Sequence, residues 1–186
     1  MNQFFTLAYP NLSDDDASRI EAFRRAHDPH SSAVAAHFTM AFGCSTLAKD
    51  MYSEHVARVC RSAQPIDFVC RYAMLGADNE AERAYVYLVP DEGYSRLSRM
   101  HDDLYRGPLR TFLRLDIPYV PHITLGSMAD RAAAKHLCDD LNRSGLEISG
   151  SITALTVATL QDQEILNVAV FTLGIDRSKS ELPAAH

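Results

Sequence analysis

The sequence predicts an α+β protein, a bilobal duplicated fold of two mainly antiparallel sheets with outer helices. Three observations lead there. Strand-like and helix-like stretches interleave with hairpin connections, and the order of elements after His37 recurs after His122. Neither G-x-G-x-x-G nor the P-loop pattern follows any strand, so a parallel doubly wound sheet fits less well.

Taken in order, Phe4 to Tyr9 reads as a strand, and Pro10 with the acidic run Ser13 to Asp16 starts a helix. Ile20 and Phe23 recur at helical spacing until Asp28-Pro29 closes it. In Val34 to Phe42, the apolar Phe38, Met40 and Phe42 alternate with His37, Thr39 and Ala41, the mark of a strand with one apolar face. Leu47, Met51, His55, Val56 and Val59 then predict a helix over Leu47 to Ala63, ended by Pro65. Ile66 to Leu75 and Arg83 to Pro90 follow as strands around a hairpin loop, Gly76 to Glu82, and a helix covers Ser95 to Tyr105 before Gly107-Pro108.

The second half repeats this order. His122 to Leu125 is a strand, Asp130 to Leu141 a helix, and Ile152 to Leu160 and Ile165 to Leu173 are strands joined by Gln161 to Glu164. The strand region after each histidine begins 29 residues on, at Ile66, and 24 on, near Leu146. Similar spacing of like elements is the signature of duplication. Residues 1–176 therefore form a single domain of two pseudo-symmetric lobes, and 177–186 a loose tail.

Composition narrows the chemistry. A chain of 186 residues that is 47% hydrophobic and 23% charged can bury a substantial core. Its net charge of -6 gives no diffuse attraction to a polyanion, which argues against long duplex nucleic acid but leaves a small phosphorylated ligand held by local groups. No apolar stretch approaches the roughly 20 residues of a membrane span, and the N-terminus lacks the basic start of a signal peptide, so the cytoplasm is the expected location. Cys44, Cys60, Cys70 and Cys138 show neither metal-site nor disulfide spacing and read as buried small hydrophobes; neither a metal nor another cofactor is expected.

The chemistry-bearing feature is a pair of H-x-T words, His37-Phe38-Thr39 and His122-Ile123-Thr124. In a strand, side chains two apart point the same way, so each word sets an imidazole beside a hydroxyl. An imidazole exchanges a proton near neutral pH and a threonine hydroxyl donates to a phosphoryl oxygen. One such word is ordinary strand composition; two, in repeated surroundings, face one another if the lobes are related by a two-fold.

Ala36-His37-Phe38-Thr39-Met40 and Pro121-His122-Ile123-Thr124-Leu125 resemble the signature pair of the two-histidine phosphoesterase superfamily, in its bacterial 2',5'-RNA-ligase-like and cyclic phosphodiesterase branch. Tyr9-Pro10, Arg24 with His27-Asp28-Pro29, Leu104-Tyr105 with Gly107-Pro108-Leu109, and Pro118 to Pro121 are similar as well. The resemblance implies a central cleft in which His37, Thr39, His122 and Thr124 meet one phosphate without a metal, one histidine as base and the other as acid. It implies as partner a small nucleotide or RNA end bearing a 2',3'-cyclic phosphate or a 2',5' linkage. Gly126-Ser127-Met128 stands where the RNA-ligase pattern often carries a basic residue.

Around this site, Tyr9, Tyr105 and Tyr119 are candidates to stack a nucleobase, with core packing as the competing role. Arg106, Arg110 and Arg114 read as a solvated surface rather than a phosphate rim, and His55 as a helix-face residue with a satisfied ring. Two rival functions are a cyclic-dinucleotide or related signal phosphodiesterase and a non-catalytic nucleotide-binding module. The intact motif pair favours catalysis, because a sensor needs no two proton-transfer groups. The oligomeric state is not legible in the sequence.

Overall fold

A computed structural model of the chain describes residues 3–78, 83–161 and 164–174. The expected tail from Arg177 and the connecting residues 79–82 and 162–163 lie outside them. The fold is α+β, with every strand pair antiparallel. The chain runs through β1 (Phe4–Ala8), β2 (Asn11–Leu12), α1 (Asp14–His27), β3 (Phe38–Cys44), α2 (Lys49–Ser62), β4 (Ile66–Cys70) and β5 (Tyr72–Asp78). It continues through β6 (Arg83–Val89), α3 (Tyr94–Leu104), a 3-10 turn (Gly107–Phe112), β7 (Ile123–Met128), α4 (Arg131–Arg143), β8 (Ile148–Ile152), β9 (Ala154–Gln161) and β10 (Glu164–Thr172).

Seven strands form one sheet in the order β10-β9-β1-β3-β7-β6-β5, and β2-β8-β4 form a second. The duplication extends back beyond the histidines: β1-α1-β3-α2-β4-β5 is repeated as β6-α3-β7-α4-β8-β9. The last strand of each repeat crosses over, β5 onto β6 and β9 onto β1, so neither half of the large sheet comes from one repeat. The repeats share a further detail. Thr6 pairs with Ala41 and Leu7 with Thr39, which leaves Met40 as a bulge; Val86 pairs with Gly126 and Tyr87 with Thr124, which leaves Leu125 as one. Met40 and Leu125 each stand three residues after their histidine.

The helices begin where the sequence places them. Ser13 caps α1 by accepting from Asp16 N, with Asp14, Asp15 and Asp16 in the positive first turn. Asp130 caps α4 by accepting from Ala132 N and Ala133 N. Phe38 and Ile123, both fully buried, pair across β3 and β7 and share the core with Phe68 of the second sheet, whose ring meets Phe38 edge-on at 5.1 Å. All four cysteines are buried and free. No described helix is long and apolar enough to cross a membrane.

Three local expectations are corrected. The run Ile66 to Leu75 is not one strand: it breaks at Arg71, and its halves enter different sheets, because continuous hydrophobicity does not mark a change of partner. Phe42 is not on the apolar face of β3; the bulge reverses the alternation and leaves it 41% exposed. Met51 is 55% exposed, and α2 instead buries Tyr52, His55, Val56 and Cys60. The short strand β2 had no clear sequence signal, Asn11–Leu12 being too brief, whereas β8 (Ile148–Ile152) begins close to Leu146, where the spacing expects a strand region.

Phe68→Ala is expected to lower unfolding stability by about 3–5 kcal/mol, since it empties a fully packed aromatic site between the sheets. Urea denaturation followed by far-UV circular dichroism measures this, and a loss under about 1 kcal/mol contradicts a shared core.

Candidate active site

β3 and β7 meet through the pair Phe38 and Ile123, and that register determines the site. One residue to either side, His37 lies opposite Thr124 and Thr39 opposite His122, on the face away from the core. Directly opposed residues place their Cβ atoms about 4.5–5.5 Å apart, so the four side chains make one compact patch. All four are half-buried. A pocket of about 140 Å³ is lined by both His37 and Thr124, together with Arg24, Asp28, His30, Val34 and Tyr85.

Both imidazoles are held alike. Nδ1 of His37 lies 2.7 Å from the Ala35 carbonyl and Nδ1 of His122 lies 2.6 Å from the Val120 carbonyl, each two residues back. A carbonyl only accepts, so each Nδ1 carries the proton and each neutral ring keeps its Nε2 lone pair for the cleft. The histidines precede β3 and β7 by one residue rather than lying within them. That position frees the carbonyls at 35 and 120 from ladder pairing to serve the rings.

Electrostatics separate the two rings. Burial pulls His37 below the ordinary histidine value, partly opposed by the Ala35 hydrogen bond; nearby Arg24 lowers it, and Asp28 and Glu21 raise it. His122 is driven down to about 4, chiefly by burial, with the charge of a protonated His37 acting in the same direction. His122 stacks on Tyr87 at 3.7 Å, while Tyr9 approaches His37 edge-on at 6.0 Å.

The approach to His37 is braced by α1. Arg24, 2% exposed, donates to Glu21, to Asp28 Oδ2 and, at 2.7 Å, to the Val34 carbonyl. Glu21 Oε1 accepts from Ala36 N at 2.9 Å, and Asp28 Oδ1 accepts from His30 N. The peptides on both sides of Ala35 are thus clamped, which holds the carbonyl that orients His37. Gly126 lets α1 come close, since a Cβ there would lie 3.2 Å from that of His27.

The candidate tyrosines have different places. Tyr9 stands beside His37, its hydroxyl donating to Asn167 Oδ1. Tyr119 stacks on His101 at 3.7 Å and donates to the Thr39 carbonyl, so it supports the first motif. Tyr105 does not face the cleft as a base-stacking residue would: it is 4% exposed, in the core, and its hydroxyl accepts from Phe42 N. Sequence reasoning missed Tyr85 and Tyr87, whose ladder with β7 places them on the cleft face; their alternation on β6 was the available signal. Arg106 and Arg114 are exposed and paired with Asp103 and Asp116. His55 is buried, with Nε2 donating to the Leu104 carbonyl at 2.7 Å. Among the described residues, no group of three or more His, Cys, Asp or Glu side chains is arranged to hold a metal.

Known proteins share this architecture. The profile of the 2'-5' RNA ligase superfamily matches residues 12–164. The chain belongs to that superfamily. Its fold is that of other two-histidine phosphoesterases: apo LigT of E. coli is 18% identical with a TM-score of 0.59, over 93% of this chain and 98% of LigT. Usb1 of Kluyveromyces marxianus is 12% identical with a TM-score of 0.54 over 94% and 98% of the two chains. TT0787 of Thermus thermophilus is 13% identical with a TM-score of 0.56 over 94% and 99%. At these identities the structures speak for the fold alone. No curated protein matches the sequence.

Two measurements check the site. Nuclear magnetic resonance titration should find His122 changing charge near pH 4, with both rings in the Nδ1–H tautomer at neutral pH. His37→Gln removes a competing positive charge and should raise the His122 value; an ordinary value near 6.5 in the wild type contradicts the burial. Arg24→Ala strands Glu21 and Asp28 and should cost about 3–5 kcal/mol in urea unfolding.

Proposed function

We propose that this chain is a metal-independent phosphodiesterase acting on 2',3'-cyclic phosphates or 2',5'-linked nucleotides or RNA ends, with His37 and His122 as general acid and base. The observation that supports this reading is the β3–β7 register, by which each histidine lies opposite the other motif's threonine, with each Nδ1 held by a backbone carbonyl and Nε2 left as the acceptor. Superfamily membership supports an enzyme, and the solved complexes of LigT with 3'-AMP, ATP and NADP+ support a small nucleotide as the ligand.

In hydrolysis of a cyclic phosphate, one neutral imidazole takes a proton from water as its oxygen attacks phosphorus. The bond from phosphorus to one ribose oxygen breaks, and the other histidine, protonated, gives that oxygen its proton. The product is a phosphomonoester. Thr39 and Thr124 donate to the non-bridging oxygens, where charge accumulates. We assign the acid to His37, because Glu21 and Asp28 favour its charged form, and the base to His122, which has the Tyr87 ring against it. A bound phosphate anion raises both values, so substrate binding and uptake of the acid's proton are coupled. A cytoplasmic location is part of this proposal.

The test is turnover with EDTA present of a panel of 2',3'-cyclic nucleotides, 2',5'-dinucleotides and cyclic dinucleotides. His37→Ala or His122→Ala should each lower kcat by at least about 10²-fold, the low end of what one proton-transfer group contributes. Turnover that EDTA abolishes, or a variant that keeps wild-type kcat, rejects the mechanism. Because both free imidazoles lie below the ordinary value, kcat/KM should fall as pH rises above neutrality, where the protonated acid disappears. A kcat/KM that climbs between neutral and alkaline pH contradicts this.

A further inference from the structure

The repeat that holds His122 differs from its counterpart at two corresponding positions. In the first repeat the residue paired with the motif threonine is Leu7, and β9 carries Ala158 opposite Phe5, two residues back. In the second, Tyr87 pairs with Thr124, and β5 carries Gly76 opposite Tyr85, again two residues back. A leucine and an alanine on the His37 side thus correspond to a tyrosine and a glycine on the His122 side.

The glycine and the tyrosine fit each other. A Cβ at residue 76 would fall 2.0 Å from Cε2 of Tyr87, 2.5 Å from Cζ and 2.8 Å from Cδ2, so the ring occupies the space that a side chain there would need. From that seat it stacks on the His122 imidazole, with centroids 3.7 Å apart and planes 25° apart. At His37 the neighbouring ring is Tyr9, which meets it edge-on at 6.0 Å. The groups acting on His122 are the Val120 carbonyl at Nδ1, the charge of a protonated His37, and the Tyr87 ring, itself stacked on Tyr85 at 5.7 Å. A ring lying on one face of an imidazole keeps water from that face and so disfavours the charged form. A ring face also attracts a cation, but that attraction is smaller than what burial costs an ion in hydration. Duplication alone would give both histidines one proton affinity, whereas an acid and a base need two.

We propose that Gly76 and Tyr87 are a positioning pair that gives His122 the role of base: the glycine seats the tyrosine ring, and the ring covers one face of the imidazole and shields it from water. The inference rests on the reading of the catalytic patch as a phosphodiesterase centre. It names the residues that break the symmetry of the duplicated site and so set the direction of proton transfer within it.

Nuclear magnetic resonance titration of His122 in wild type, Tyr87→Leu, Tyr87→Phe and Gly76→Ala tests this without requiring turnover. Tyr87→Leu, which installs the residue of the first repeat, should raise the His122 value from about 4 by at least about one unit. Gly76→Ala, which forces the ring to move, should raise it too, whereas Tyr87→Phe keeps the ring and should leave it low. His37 is the internal control and should move less than His122 in every variant. The pair is rejected if Tyr87→Leu leaves His122 in place or lowers it, if Gly76→Ala does not move it, if Tyr87→Phe raises it as far as Tyr87→Leu, or if His37 moves as much as His122. Thermal melts identify a variant that fails to fold. Should Gly76→Ala do so, the double variant with Tyr87→Leu removes the clash and should fold and match Tyr87→Leu; a double variant that also fails rejects the fit. Turnover of adenosine 2',3'-cyclic phosphate separates the two ideas. The base must be neutral, so a raised His122 value should move the fall of kcat/KM at low pH to higher pH in Tyr87→Leu, and a fall that stays in place while His122 moves rejects its assignment as base. An expected response of His122 without turnover by wild type keeps the shielding and retracts the hydrolase, and turnover with an unmoved His122 does the reverse.

Discussion

The site depends on a single contact between two repeats, the antiparallel pairing of Phe38 with Ile123 at the middle of the seven-stranded sheet. Both side chains are fully buried, and this holds the register, because a slip of one residue would send the histidines into the core and the apolar pair into the cleft. Hydrophobic burial on one face of two strands thus positions the polar chemistry on the other. The Met40 and Leu125 bulges just beyond end the regular alternation in the same way in both repeats.

Near symmetry of the backbone coexists with asymmetry of environment. Each imidazole is oriented by a carbonyl two residues back, yet His37 lies near the charges of α1 while His122 lies against an aromatic ring. Two chemically identical groups can perform opposite proton transfers only if their surroundings differ, and here the difference arises from α1 beside His37 and from Tyr87 of β6 beside His122. In α1 the triad Glu21, Arg24 and Asp28 clamps the loop before His37; on the second side, His101 of α3 stacks on Tyr119, which in turn supports Thr39.

The crossing of β5 onto β6 and of β9 onto β1 makes each half of the sheet a product of both repeats. The pairing of β6 with β7 brings Arg83, Tyr85 and Tyr87 alongside the second motif, although they lie well before it in the chain. Local sequence around His122 shows Ser127 and no cation, whereas in the fold the Arg83 guanidinium, delivered by a neighbouring strand, is anchored on Ser127.

What the residues alone determined were the features with local physical signatures. The helix starts at Ser13 and Asp130 follow from side chains that satisfy nearby backbone donors, and the H-x-T words follow from strand alternation. The duplication was legible because like elements follow each H-x-T word in the same order and at similar spacing. Tertiary structure alone decided which strand lies beside which: the split of Ile66 to Leu75 between two sheets, the reversal that exposes Phe42, and the burial of Tyr105. Hydrophobic pattern records that a side chain prefers burial but not against what. Partner choice is set by long-range packing, which leaves no mark within a window of a few residues.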